Sequence, residues 1–111
     1  MSTNAFARTA RRVLRLCRVE SIPQGGGRAF NVAGREIVVW RGRDGCVRAL
    51  ENRCPHGGGS LADGIVGDGK VHCPLHGTGF DLRTGESDDG ARRRVAVYEA
   101  FVEAGEVRLE V

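Results

Sequence analysis

The chain predicts an all-β, antiparallel sandwich or barrel with a small subdomain inserted between strands, and three observations point to it. Short runs rich in branched apolar residues alternate with Gly, Asp and Pro turn signals from residue 13 onward, and no stretch carries a helical apolar period. Between two of these runs lie two Cys/His pairs, Cys54-Pro55-His56 and Cys73-Pro74-Leu75-His76, in glycine-rich surroundings.

Taken in order, residues 1–10 are small, polar and aperiodic, so residues 1–12 are expected to be a disordered tail and residues 13–111 a single domain. The Arg11-Arg12 pair is followed by Val13-Leu14-Arg15-Leu16-Cys17-Arg18, where arginine interrupts the apolar run that an export signal needs. Strand-like runs follow at residues 13–19, 29–33, 36–41 and 47–51, separated by Pro23, Gly25-Gly26-Gly27, Gly34 and Gly42-Arg43-Asp44-Gly45. Inside the Cys/His segment, Gly64-Ile65-Val66, the turn Gly67-Asp68-Gly69 and Lys70-Val71-His72-Cys73 predict a hairpin. Phe80-Asp81-Leu82, the turn Thr84-Gly85-Glu86, a run over residues 93–102, the turn Ala104-Gly105-Glu106 and a last strand over residues 107–111 complete the pattern.

Composition narrows the function. A chain of 111 residues suits one domain with a modest core and leaves no room for a second, catalytic one. With 5% aromatics and 17 glycines, that core must be built from Val, Leu, Ile and Ala. The net charge of +3 comes from dispersed arginines, which argues against a nucleic-acid partner. No apolar stretch has the length of a membrane span, so no membrane partner is expected. Two of the four cysteines belong to the Cys/His pairs, and Cys17 and Cys46 are far apart in sequence, which favours a reduced, cytoplasmic setting.

The pairs themselves specify chemistry. Together Cys54, His56, Cys73 and His76 offer two thiolates and two imidazoles to a metal. Zinc fingers usually group two Cys before two His, often on a hairpin and a helix, whereas here the order alternates and proline and glycine disfavour a helix on either loop. A binuclear iron cluster, one iron taking both thiolates and the other both imidazoles, suits two such loops. A zinc-stabilised binding module without redox function uses the same four ligands and stays open on the residues alone. His72 adjoins Cys73 on an extended run, so its side chain is expected to point away from the metal and not to ligate it. Trp40 and Tyr98 read as core or sheet-face residues, and Asp88-Asp89 as a solvated loop.

The spacing C-x-H, sixteen residues, C-x-x-H resembles the Rieske-type 2Fe-2S proteins, over roughly residues 22–111. Ala49-Leu50-Glu51-Asn52-Arg53-Cys54-Pro55-His56, Leu61-Ala62-Asp63-Gly64 and Cys73-Pro74-Leu75-His76-Gly77, with Phe80-Asp81-Leu82 and Thr84-Gly85, are similar to stand-alone bacterial Rieske ferredoxins and to the small subunit of NAD(P)H-dependent nitrite reductase. Thr78-Gly79 departs from the aromatic residue that many relatives carry there. The resemblance implies one Rieske 2Fe-2S cluster held by Cys54, His56, Cys73 and His76, and a one-electron carrier rather than an enzyme. It implies a flavoprotein reductase or larger reductase subunit as donor, and a terminal oxygenase or nitrite reductase as acceptor. High-potential Rieske proteins carry two further cysteines that clamp the loops, where this chain has Gly59 and Leu75, and Ser and Tyr hydroxyls, where it has Thr78 and Phe80. A potential in the lower part of the Rieske range is therefore expected. Rieske oxygenases need a second iron site built on two more histidines, and beyond the two ligand histidines only His72 exists.

Overall fold

A computed structural model describes residues 12–54, 59–75, 77–90 and 93–111. Ten strands run β1 (Val13–Arg18), β2 (Gly27–Val32), β3 (Arg35–Arg41), β4 (Val47–Glu51), β5 (Ile65–Gly67), β6 (Lys70–His72), β7 (Gly79–Asp81), β8 (Val97–Tyr98), β9 (Ala100–Glu103) and β10 (Glu106–Glu110). Single 3-10 turns at Val19–Ser21 and Leu61–Asp63 are the only helical elements among the described residues. They form three antiparallel sheets, ordered β1-β10-β9, β2-β3-β4-β8 and β5-β6-β7, so the all-β antiparallel expectation holds.

Hairpin chemistry explains much of the connectivity. Ala33-Gly34, Asp68-Gly69 and Ala104-Gly105 each place two consecutive residues at positive φ, the two-residue turn whose twist matches that of paired strands. Arg12, assigned to the tail on sequence grounds, extends the first sheet by exchanging both backbone hydrogen bonds with Val111. Residues 1–11 lie outside the described residues.

One run divides. Residues 93–102 read as a single strand, yet β8 pairs with β4 in the four-stranded sheet while β9 pairs with β10 in the three-stranded one. The chain changes sheets at Glu99, whose carbonyl accepts from the Glu110 amide. A uniform apolar alternation cannot reveal such a switch, because both sheets bury the same side of the run.

Two buried groups of side chains lie on opposite faces of the four-stranded sheet. Ile37 and Val39 of β3 pack with Ile22, Val32, Val47, Ala49, Val107 and Leu109, whereas Val38 and Trp40 pack with Leu50, Leu61, Val71, Phe80, Cys54 and Cys73. Adjacent strand residues point oppositely, so β3 is apolar from Ile37 to Trp40, where both of its faces are covered. Trp40 and Tyr98 are core and sheet-face residues as expected, and Trp40 fits only because its cross-strand partner is Gly27: a Cβ there would lie 2.5 Å from the indole Cε3.

Candidate metal centre

The two cysteines of the Cys/His pairs occupy equivalent places. The first loop leaves the end of β4, is bridged at its base by the pairing of Arg53 with Ser60, and closes where the Cys54 amide donates to the Gly59 carbonyl at 2.8 Å. The second prolongs the β6–β7 hairpin beyond the pair His72 and Gly79, and closes where the Cys73 amide donates to the Thr78 carbonyl, also at 2.8 Å. Each loop is thus cinched by its own cysteine's N–H to the carbonyl five residues on. In the second loop the Gly77 amide returns to the Cys73 carbonyl, and Gly77 has the positive φ of 74° that this tight return requires.

Both thiols are buried, 1% and 2% exposed, in the same apolar group as Phe80, Leu61 and Val71. The loops touch: a Cβ on Gly59 would lie 2.9 Å from Leu75 Cδ1 and 3.5 Å from Cys73 Sγ. The two positions at which high-potential relatives are expected to carry a clamp therefore face each other, with a glycine against a leucine in place of a disulfide. His56 and His76 lie outside the described residues, as do Pro55, Gly57 and Gly58. Among the described residues no three metal-ligating side chains gather.

Two buried thiols on matched, pinned loops that meet fit the thiolate half of a binuclear iron centre. Cys17 and Cys46 are free thiols outside this arrangement: Cys17 is half-buried in β1, where burial pushes its thiol up despite Arg28 and Arg15, and Cys46 is exposed before β4. His72 is half-buried, its Nδ1 lying 3.3 Å from the Gly77 carbonyl of the second loop.

Three supporting residues were not legible in the sequence. Asn52, 1% exposed, donates from Nδ2 to Ser60 Oγ at 3.0 Å and accepts from the Ala62 amide on Oδ1 at 2.7 Å, fastening the return of the first loop. Asp88 lies in an exposed loop as expected, and from there accepts from the Gly79 amide at 3.0 Å. Ile65, 75% exposed, pairs with His72 and adds an apolar side chain on the same subdomain as Leu75, which is 61% exposed. The glycine at 79 is explained by crowding, since a Cβ would lie 2.6 Å from Asp88 Oδ2 and 3.0 Å from His72 Cε1.

The family model of the Rieske 2Fe-2S domain matches residues 12–99. The chain belongs to the Rieske family. It is 39% identical over 73 residues to the 3-phenylpropionate/cinnamic acid dioxygenase ferredoxin subunit of Photorhabdus laumondii, covering 65% of this chain and 68% of that one. The aligned stretch of mouse apoptosis-inducing factor 3, 31% identical over 74 residues and 67% of this chain, is only 12% of that protein's length. Among solved structures, a chain described as the NADH-dependent nitrite reductase small subunit of Mycobacterium tuberculosis superposes with a TM-score of 0.85 at 28% identity, covering 91% of this chain and 96% of that one. The ferredoxin of carbazole 1,9a-dioxygenase from Nocardioides aromaticivorans gives 0.80 at 30% identity, with 87% and 95% covered. The Rieske chain is an electron-transfer component whose cofactor is a Rieske-type 2Fe-2S cluster.

Phe80 bears on the cluster's energy. It is fully buried in the group that holds both cysteines. A phenolic hydroxyl at this position would donate to sulfur and stabilise the reduced state more than the oxidised one. One net hydrogen bond is worth about 1 kcal/mol, which is about 40 mV on the scale of about 59 mV per tenfold for one electron. Phe80→Tyr is expected to raise the midpoint by that order, and Thr78→Val to lower it where the Thr78 hydroxyl donates to sulfur; a downward shift in Phe80→Tyr by protein-film voltammetry would refute the hydroxyl argument.

Proposed function

We propose that Cys54 and Cys73 hold one iron of the cluster, that His56 and His76 hold the other, and that the chain carries single electrons from a flavoprotein reductase to a terminal oxygenase in the cytoplasm. The observation that carries the ligand assignment is the matched burial of Cys54 and Cys73 on two loops closed in the same way and touching at Gly59 and Leu75. The bound cluster supplies one-electron chemistry at a potential raised by imidazole ligation, because two neutral ligands leave it less negative than four thiolates would. The protein's own part is to keep the sulfurs dry, hold the two loops in register and present an apolar rim. The likeness to dioxygenase ferredoxins supports an oxygenase acceptor. Free thiols at Cys17 and Cys46 agree with a reducing compartment, and no helix among the described residues is long and apolar enough to cross a membrane.

A second reading, the bound small subunit of an NAD(P)H-dependent nitrite reductase, is favoured by the fit to the Mycobacterium structure. Visible absorption and EPR before and after dithionite test the cluster assignment, a colourless, zinc-containing protein being the result that overturns it. Reconstitution with a dioxygenase and with a nitrite reductase large subunit separates the two carrier roles. In either system Leu75→Asp is expected to slow electron delivery severalfold with the spectrum and midpoint nearly unchanged, because it puts charge on the exposed rim and nothing in the core. Unaltered transfer would place docking elsewhere.

A further inference from the structure

Asp88 follows directly on the segment that folds back on β7, where Phe80 pairs with Ser87 and Glu86 with Arg94. Its amide donates to the Gly79 carbonyl at 2.9 Å and its Oδ1 accepts from the Gly79 amide at 3.0 Å, so one residue takes both backbone groups of Gly79. The Gly79 N–H belongs to the same peptide unit as the Thr78 carbonyl, and that carbonyl accepts from the Cys73 amide. A carboxylate accepting at one end of a peptide group polarises it and strengthens the bond at the other end. Oδ2 meets Lys70 Nζ at 3.4 Å. The hydrogen bond from Gly79, more than the contact with Lys70, holds the Asp88 carboxyl below the usual carboxylate range, so its charge is present at neutral pH.

We propose that Asp88 is a positioning residue for the second ligand loop: it orients the Thr78–Gly79 peptide that fixes Cys73, and its negative charge, tempered by Lys70, biases the bound cluster toward its oxidised state. The inference rests on Cys73 being a ligand. Glycine at 79 is what permits it, since any Cβ would push the carboxylate away. A negative charge linked to the Cys73 amide through one peptide group disfavours an added electron through a partly exposed medium, so the effect also weakens with salt.

Midpoint titrations of the holoprotein, followed by its visible spectrum, test it in wild type, Asp88→Asn, Asp88→Ala and Lys70→Gln. Asn keeps an oxygen for the Gly79 amide while removing the charge, so Asp88→Asn should keep the spectrum and raise the midpoint by a three- to tenfold change in the reduction equilibrium, tenfold being about 59 mV. Lys70→Gln should move it down. Asp88→Ala should in addition release iron to a chelator severalfold faster than wild type. A midpoint of Asp88→Asn at or below wild type overturns the proposal, as does wild-type iron release from Asp88→Ala. If Asp88→Asn holds no cluster, Lys70→Gln decides: a fall supports the proposal and an unmoved or raised midpoint overturns it. A wild-type protein without the Rieske spectrum would overturn the ligand assignment itself, and the inference with it.

Discussion

Serine in place of Cys54 or Cys73 is expected to yield colourless protein that is poorly folded around the ligand loops, with iron and sulfide content near zero. Both thiols are buried in one apolar group with Phe80, Leu61, Val71 and Trp40. In a small domain the binding free energy of a metal centre is part of the folding free energy, so losing a ligand removes both together. A hydroxyl buried without its metal partner adds its own desolvation cost, about 1–3 kcal/mol. Cys17→Ser and Cys46→Ser should stay coloured, since the first is packed in the distant sheet against Val107 and the second is exposed. Iron analysis and near-UV circular dichroism on the four variants check this. A colourless Cys46→Ser beside a coloured Cys54→Ser would sink the ligand assignment.

Asn52→Leu is expected to destabilise the protein by about 2–3 kcal/mol, the range for stranding buried polar groups, and to speed iron loss from the holoprotein. Asn52 satisfies four groups at once. Its amide donates to the Glu36 carbonyl, its carbonyl accepts from Leu61, and its side chain serves Ser60 and Ala62. Leucine has the same number and branching of side-chain heavy atoms but cannot replace the last two bonds, so the Ala62 amide and the Ser60 hydroxyl lose their partners. The strain then falls on the Arg53–Ser60 bridge, the base of the first ligand loop. Denaturant unfolding together with chelator-driven bleaching measures both effects. Wild-type values for the two would mean that backbone pairing alone closes the loop.

Most of the architecture was legible because strands and turns announce themselves locally. Gly34, Gly69 and Gly105 end strands at the positive φ that only a turn needs, and the alternating apolar runs between them became β1 to β7 and β10 with small shifts of boundary. The transfer of residues 93–102 between two sheets was hidden, because pairing partners are a property of the whole chain. At the site, the Cys/His spacing identified the family outright, whereas Asn52 and Asp88 left no mark. Each is a small polar residue whose side chain accepts from a backbone amide nine or ten positions away, and no periodicity encodes such a reach. Gly79 was visible in the sequence as part of the Thr78-Gly79 departure from an aromatic residue, and the structure supplies its reason, a space taken by a carboxylate and an imidazole.

The central sheet has a consequence for how the protein can diverge. Along β3, Ile37 and Val39 face the group that contains no cysteine of the Cys/His pairs, and Val38 and Trp40 face the group that contains both. Neighbours only one position apart therefore answer to different pressures. A lineage can repack the odd-numbered side against β1 and β10 and alter nothing but robustness, since the cost of a lost methyl there stays with the outer wall. The same change at an even-numbered position reaches the buried group that holds both sulfurs, where it alters how tightly the loops close and how dry they remain. Parity along a single strand separates the heritable variation that retunes the redox centre from the variation that the centre never senses.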